Sequence, residues 1–197
     1  MYCILVTGIP AAGKSSMAKI LAEALHLPVI SKDAIKERMY DAIGFRSRAE
    51  KVQLGVASMN IMYYMAEQLM QCGQTFILEN NFEDISKEGL LSILERHAYT
   101  AITVTLTGDY HVIYQRFLAR DQSPDRHRGH VVNDCYPETG GSHPVPPTSF
   151  EKFVFSIETR GMDRFTANGP QIIVDTTDFS KIDREIVIQR ILECCPD

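Results

Sequence analysis

The 197-residue chain is 45% hydrophobic and 23% charged, enough apolar sequence for one well-buried core and too little for a second independent domain. A net charge of -5 and a pI near 5.7 exclude a molecule that attracts nucleic acid through its overall charge. No basic leader precedes the short apolar run in MYCILVTGIP, and no stretch nears the roughly 18 apolar residues of a membrane span, so a cytosolic protein without a membrane partner is expected.

The chain opens on a β-type run at residues 3–6, then Gly8-Ile-Pro-Ala-Ala-Gly13-Lys14-Ser15, then a helical pattern with Met17, Leu21, Ala24 and Leu25 on one face. Strand, G-x-x-x-x-G-K-S and helix in that order make the phosphate-binding P-loop arrangement. The loop from Gly8 through Ile9, Pro10, Ala11, Ala12 and Gly13 to Ser16 can wrap a phosphate with main-chain N–H groups and a helix N-terminus. Lys14 adds positive charge and the Ser15 hydroxyl can hold Mg²⁺, so ATP and Mg²⁺ are the expected cofactors.

A second strand at residues 28–31 precedes a helix through DAIKERMYDAI that stops near Gly44. A long helix is predicted from about residue 50 to 72, where Gly73 closes it. Met59, Met62, Met65 and Met70 on this helix either pack into the core or line an adaptable apolar pocket. Next come a strand at 75–79, a helix near 87–97 and a strand at 101–107, apolar enough for burial on both faces. The stretch RFLARDQSPDRHRGH, residues 116–130, then gathers four arginines and two histidines in an acidic protein.

Residues 122–147 hold five prolines with Gly129, Gly140 and Gly141 and show no sustained periodicity. They read as a flap spanning about 121–148 or as a disordered surface loop, and the structure expected after them favours the flap. A helix at 149–165, a strand at 171–176 and a last helix follow. The last helix opens with Ser180-Lys-Ile-Asp183, a near capping box, and carries Ile188, Ile191, Leu192 and Cys195 at helical spacing. Five cysteines without paired metal spacing read as reduced thiols.

Five β-runs alternating with helices predict an α/β fold: a five-stranded parallel sheet with helices on both faces, forming a single domain over 1–197 with an inserted flap. Ligands then bind at the carboxyl ends of the strands, where the P-loop, Ser31-Lys32-Asp33, Glu79-Asn80-Asn81 and Gly108-Asp109 fall. A GTPase would need a guanine-reading N-K-x-D, and a motor-type ATPase an apolar strand ending in Asp-Glu; neither is present.

Several of these side chains have a plain alternative. Asp33 can act as a base or cap the helix it precedes. Glu79 can orient Mg²⁺ through water or be an ordinary surface acid. Arg116 and Arg120, one turn apart on one helix face, suit the adenine and the phosphates, while Arg126 and Arg128 would arrive with the flap; all four can instead pair with Asp121 and Asp125 on a solvated face. His127 and His130 read as phosphate or metal contacts or as ordinary loop histidines.

The P-loop, the SKD after the second strand, the arginine-rich helix and the late VDTT resemble small P-loop kinases of the polynucleotide kinase, zeta toxin and chloramphenicol phosphotransferase type. SPDRHRGH is similar to a segment of many bacterial ATP-binding proteins of that group. The resemblance implies a nucleotide-kinase-like P-loop NTPase that transfers the γ-phosphate of ATP to a hydroxyl, with Lys14, Asp33, Arg116 and Arg120 as catalytic residues. Asp33 matches the group's general base, nineteen residues beyond Lys14. On the acceptor side it would be joined by Arg38, Glu79, Asn81, Arg126 and Arg128. In 5′-polynucleotide kinases an arginine three residues beyond that aspartate helps at the acceptor; here Lys36 stands there and Arg38 follows two later. The acceptors therefore rank as a small hydroxylated molecule, a nucleoside or nucleotide, then a nucleic-acid 5′ end. A slow regulatory ATPase is the non-kinase alternative, and it has no need of Asp33 as a base.

Overall fold

The computed structural model describes residues 1–139 and 146–195, so residues 140–145 of the expected flap and 196–197 lie outside the described residues. Strands β1 (Tyr2–Gly8), β2 (Val29–Ser31), β3 (Ile77–Glu79), β4 (Thr100–Thr107) and β5 (Gln171–Asp175) form one sheet in the order β2-β3-β1-β4-β5, every pair parallel. The central strand β1 is buried from Cys3 onward. Its alternation sends Ile4 and Val6 into one core and Cys3 and Leu5 into the other.

Helices α1 (Lys14–Leu25), α5 (Tyr110–Gln122), α7 (Phe150–Arg160) and α8 (Arg184–Glu193) cover the first face through Met17, Ile113, Ile157 and Ile191. Helices α3 (Arg48–Gln71) and α4 (Asp84–Arg96) cover the second. There Met62 and Met70 are buried and Met59 packs against the same core, whereas Met65 is exposed, so three of the four methionines serve the core and none lines the cleft at the P-loop or the cavity beside it. Helix α2 (Lys32–Ile43) follows β2 without a linker, and α6 (Arg128–Val131) is a single turn within the flap. Among the described residues no helix is long and apolar enough to cross a membrane.

Three local expectations are corrected. Helix α7 stops at Arg160 instead of 165, because Gly161 takes a left-handed φ of 69° and its bare Cα lies against the Asp84 carboxylate. Ser180 does not cap α8: it donates to Asp178 Oδ1 at 2.6 Å within a short 3-10 turn, and Asp183 caps the helix by accepting from the N–H groups of Glu185 and Ile186. On α1, Ala24 is exposed and Ala18 takes the inward place.

The described part of the flap is docked on α2 and α3. Tyr40, Phe45 and Val132 form a third apolar cluster, and Phe45 pairs with Tyr136 through an isolated antiparallel bridge. His127 Nε2 lies 3.0 Å from Asp41, and Tyr136 donates to the same carboxylate at 2.9 Å. The loop histidines thus serve flap docking: His130 Nε2 meets Glu37 Oε1 at 2.9 Å. Gly129 sits on the buried Tyr40 ring, and a Cβ there would come within 2.3 Å of Cδ2. Gly129→Ala is accordingly expected to destabilise the protein by about 1–3 kcal/mol through overpacking, read as a lower midpoint in denaturant unfolding. An unchanged midpoint would show that this contact contributes nothing.

Candidate active site

The P-loop leaves β1 at Gly8, where φ is 124° and a Cβ would come within 2.0 Å of the Leu106 carbonyl oxygen of β4. Only glycine allows that approach. Pro10, Ala11, Gly13, Lys14, Ser15 and Ser16 line a cleft of about 750 Å³ at the carboxyl ends of the strands, with Ile9 and Ala12 buried beneath. Lys14 is 7% exposed, and its Nζ donates to the Ile9 carbonyl at 2.8 Å.

Burial drives the Lys14 pKa down to about 8, against the pull of Glu79 and Asp33, which favour its charge. In the free protein this lysine loses its proton as pH rises through that value, and contact with phosphate restores it. ATP affinity is expected to be level below about pH 8 and to fall by up to about tenfold per pH unit above it. Titration calorimetry in buffers of different ionisation enthalpy would also show proton uptake there; an affinity that stays level above pH 8 would contradict the assignment.

Ser31, not Asp33, caps α2: its Oγ accepts from Ala34 N at 3.3 Å. This leaves the Asp33 carboxylate in the cleft with Lys14 and Ser15. Burial opposes its ionisation, but the charges around it, Lys32 at 3.8 Å first among them, outweigh that and hold the carboxyl below its ordinary range. Glu79 is no surface acid. It ends β3, is 5% exposed, and accepts from Ser31 Oγ at 2.5 Å and from Ser15 Oγ at 3.4 Å. Asn81 lines the same cleft.

Arg116, Arg120 and Arg126 also line this cleft. Arg116 donates to the carbonyls of Thr176 and Thr177, both at 2.5 Å, which ties α5 to the loop after β5. Arg120 and Arg126 lie 3.4 and 3.7 Å from the one Asp121 carboxylate oxygen. Both nonetheless keep a buried Nε–H with no hydrogen-bond acceptor among the described residues. The Asp125 carboxylate has no cation within 4.0 Å among the described residues, so it takes no part in this pairing. Arg128 forms a two-bond pair with Glu138 and lines a neighbouring cavity.

Arg38 is exposed and lines neither cavity, whereas Lys36 faces the neighbouring one. The reason is helical geometry: Lys36 is one turn from Asp33 and shares its face, and Arg38, two residues later, is rotated away. Sequence reading missed Lys51 altogether. Its spacing on α3 looks like any surface lysine, yet it is buried and holds the flap carbonyls of His130, at 2.9 Å, and Val132.

The residues fit a nucleotide polyphosphate and a hard cation. The loop main chain, Lys14 and the two unpartnered guanidinium donors suit phosphate oxygens. The Ser15 hydroxyl beside the Glu79 carboxylate is an oxygen donor set of the kind Mg²⁺ takes with water completing its shell.

An all-parallel sheet with this loop at the carboxyl end of its central strand defines a P-loop NTPase of the kinase-like class. The AAA domain family matches residues 4–135, and the chain belongs to it. A Chloroflexus aurantiacus J-10-fl protein provisionally designated a kinase shares 28% identity, covers 99% of this chain and 98% of its own, and superposes with a TM-score of 0.82. Chaetomium thermophilum Kti12, solved with ADP-AlF3, is 18% identical over 99% of this chain and 100% of its own, TM-score 0.61. A Sinorhizobium meliloti 1021 gluconokinase is 17% identical over 98% and 94%, TM-score 0.54. These last two likenesses are of fold alone. No curated protein matches the chain.

Proposed function

We propose that the protein is an ATP-dependent phosphotransferase that moves the γ-phosphate onto a hydroxyl of a small molecule, nucleoside or nucleotide. The observation that carries this reading is Asp33: a carboxylate spared from helix capping, held ionised by cations, and placed in the same cleft as Lys14 and Ser15. The acceptor hydroxyl would donate to Asp33 and pass its proton there as its oxygen bonds to phosphorus. The phosphorus–oxygen bond to ADP breaks in the same displacement, and ADP leaves with the electron pair. Lys14, with the loop amides, would hold the β and γ phosphates, and Arg120 and Arg126 would meet charge on the transferred group. Arg116 would act at the nucleotide through the loop after β5, which it ties to α5. Ser15 and Glu79 would hold Mg²⁺, whose charge would offset that of the phosphates.

Transfer from ATP to a panel of small hydroxylated compounds, run beside a 5′-hydroxyl oligonucleotide over a salt series, tests the reading. Turnover of a small acceptor with shallow salt dependence is expected. Faster turnover of the oligonucleotide, with a steep log-log salt slope, would place the protein among polynucleotide kinases instead.

A further inference from the structure

A second cavity of about 670 Å³ opens beside the nucleotide cleft, between α2, α3, α5, α7 and the described part of the flap. The two share Pro10, Asn81, Arg120 and Arg126. Lys36, Arg48, Lys51, Arg126, Arg128 and Lys152 line the second, and Arg120 and Arg160 extend the set. Asp121 is its one carboxylate among the described lining residues. Such a concentration of positive charge in a chain of net charge -5 is a local device.

Part of that charge is already paired. Glu138 takes Arg128, Glu83 takes Arg160, and Asp121 serves both Arg120 and Arg126. Lys36, Arg48, Lys51 and Lys152 have no carboxylate within 4.0 Å among the described residues. Arg48 donates to the Asn133 side-chain oxygen at 3.2 Å, and Lys51 to that same oxygen at 3.1 Å and to two carbonyls. Carbonyl and amide oxygens satisfy hydrogen bonds without cancelling charge. Burial and mutual repulsion hold Lys36 and Lys51 down at about 8, so each would gain its full charge against an anion. His130, pushed down to about 3 by burial, adds no charge to the cavity.

We infer that the acceptor is itself an anion, a hydroxylated small molecule whose phosphate or carboxylate group lies among Lys36, Arg48, Lys51 and Lys152. The inference rests on the phosphotransferase proposed above, because it uses Asp33 to fix the hydroxyl. Lys36 is one turn beyond Asp33 on the same face of α2, so an acceptor with its hydroxyl at Asp33 has its remaining atoms beside Lys36. Arg48, Lys51 and Lys152 do not line the nucleotide cleft, so the phosphates of ATP leave their charge unanswered.

The test uses the full-length protein saturated with Mg²⁺ and a non-hydrolysable ATP analogue, so that the P-loop is filled. Inorganic phosphate and citrate are titrated in separately by calorimetry, and the tighter of the two names the anionic group. At least one is expected to bind, and Lys36→Gln combined with Lys152→Gln is expected to weaken it by about tenfold or more. Binding of neither anion, or equal binding to the double variant, overturns the inference. Transfer is then compared within matched pairs: glucose and glucose 6-phosphate, adenosine and its 5′-monophosphate, sorbitol and gluconate. The anionic member of at least one pair is expected to exceed its neutral twin about a hundredfold in kcat/KM. A neutral twin used equally well overturns the inference and leaves the phosphotransferase standing. Anion binding sensitive to the double variant, without transfer to any compound, removes the phosphotransferase and keeps the anion cavity.

Discussion

Asp33→Asn is expected to lower phosphoryl transfer by about a hundredfold or more, the usual worth of a positioned base, while ATP binding persists. The asparagine keeps the shape and can still accept a hydrogen bond from the acceptor hydroxyl, but it cannot take the proton. Asp33 also favours the charged form of Lys14, so a small loss of ATP affinity accompanies the change. Its helix should stand, because the cap is Ser31. Single-turnover transfer and calorimetric ATP binding, measured on the same preparation, separate the two effects. Transfer at the wild-type rate would take Asp33 out of the chemistry.

Lys14→Ala is expected to have the opposite signature, with ATP affinity lost by about a hundredfold or more and the fold retained. The lysine is buried, so the substitution removes both a phosphate contact and the donor to the Ile9 carbonyl. The sheet does not depend on it, since β1 stays paired along its whole length with β4 and Ile9 N–H donates to the Leu106 carbonyl at 3.3 Å. Unchanged affinity in a variant with native unfolding behaviour would refute the phosphate-binding role of the loop.

The contrast between Lys14 and Lys36 marks how far this site could be read from sequence. Lys14 is legible because its neighbours fix its place: a strand, two glycines and a helix start follow one another without interruption. The strands were equally open to reading, since burial on both faces leaves continuous apolar runs such as Ile102 to Leu106, broken only by threonines that are themselves buried. Lys36 was within reach too, one turn from Asp33 and at the place of the polynucleotide kinases' arginine, but the arginine residue type is matched by Arg38, on the other side of the helix.

Contacts between distant segments left no local trace. Glu79 meets Ser31 across 48 residues, and Lys51 meets the Val132 carbonyl across 81. Nothing in the periodicity of residues 122–139 announces that Gly129 seats on Tyr40 and turns the flap into a wall of the basic cavity. The choice of Ser31 over Asp33 as cap is of the same kind. Both residue types cap helices well, and only the backbone position decides which is left for the cleft.

The central claim, that Asp33 and the P-loop together pass phosphate to a bound hydroxyl, is tested most directly with ATP labelled in its γ-phosphate, Mg²⁺ and the panel of hydroxylated anions. The label is expected on an acceptor hydroxyl in the wild type and is expected to be nearly absent from it in Asp33→Asn. Label recovered only as inorganic phosphate, at a rate that no acceptor changes and Asp33→Asn does not alter, would make the protein a nucleotide hydrolase and contradict the claim.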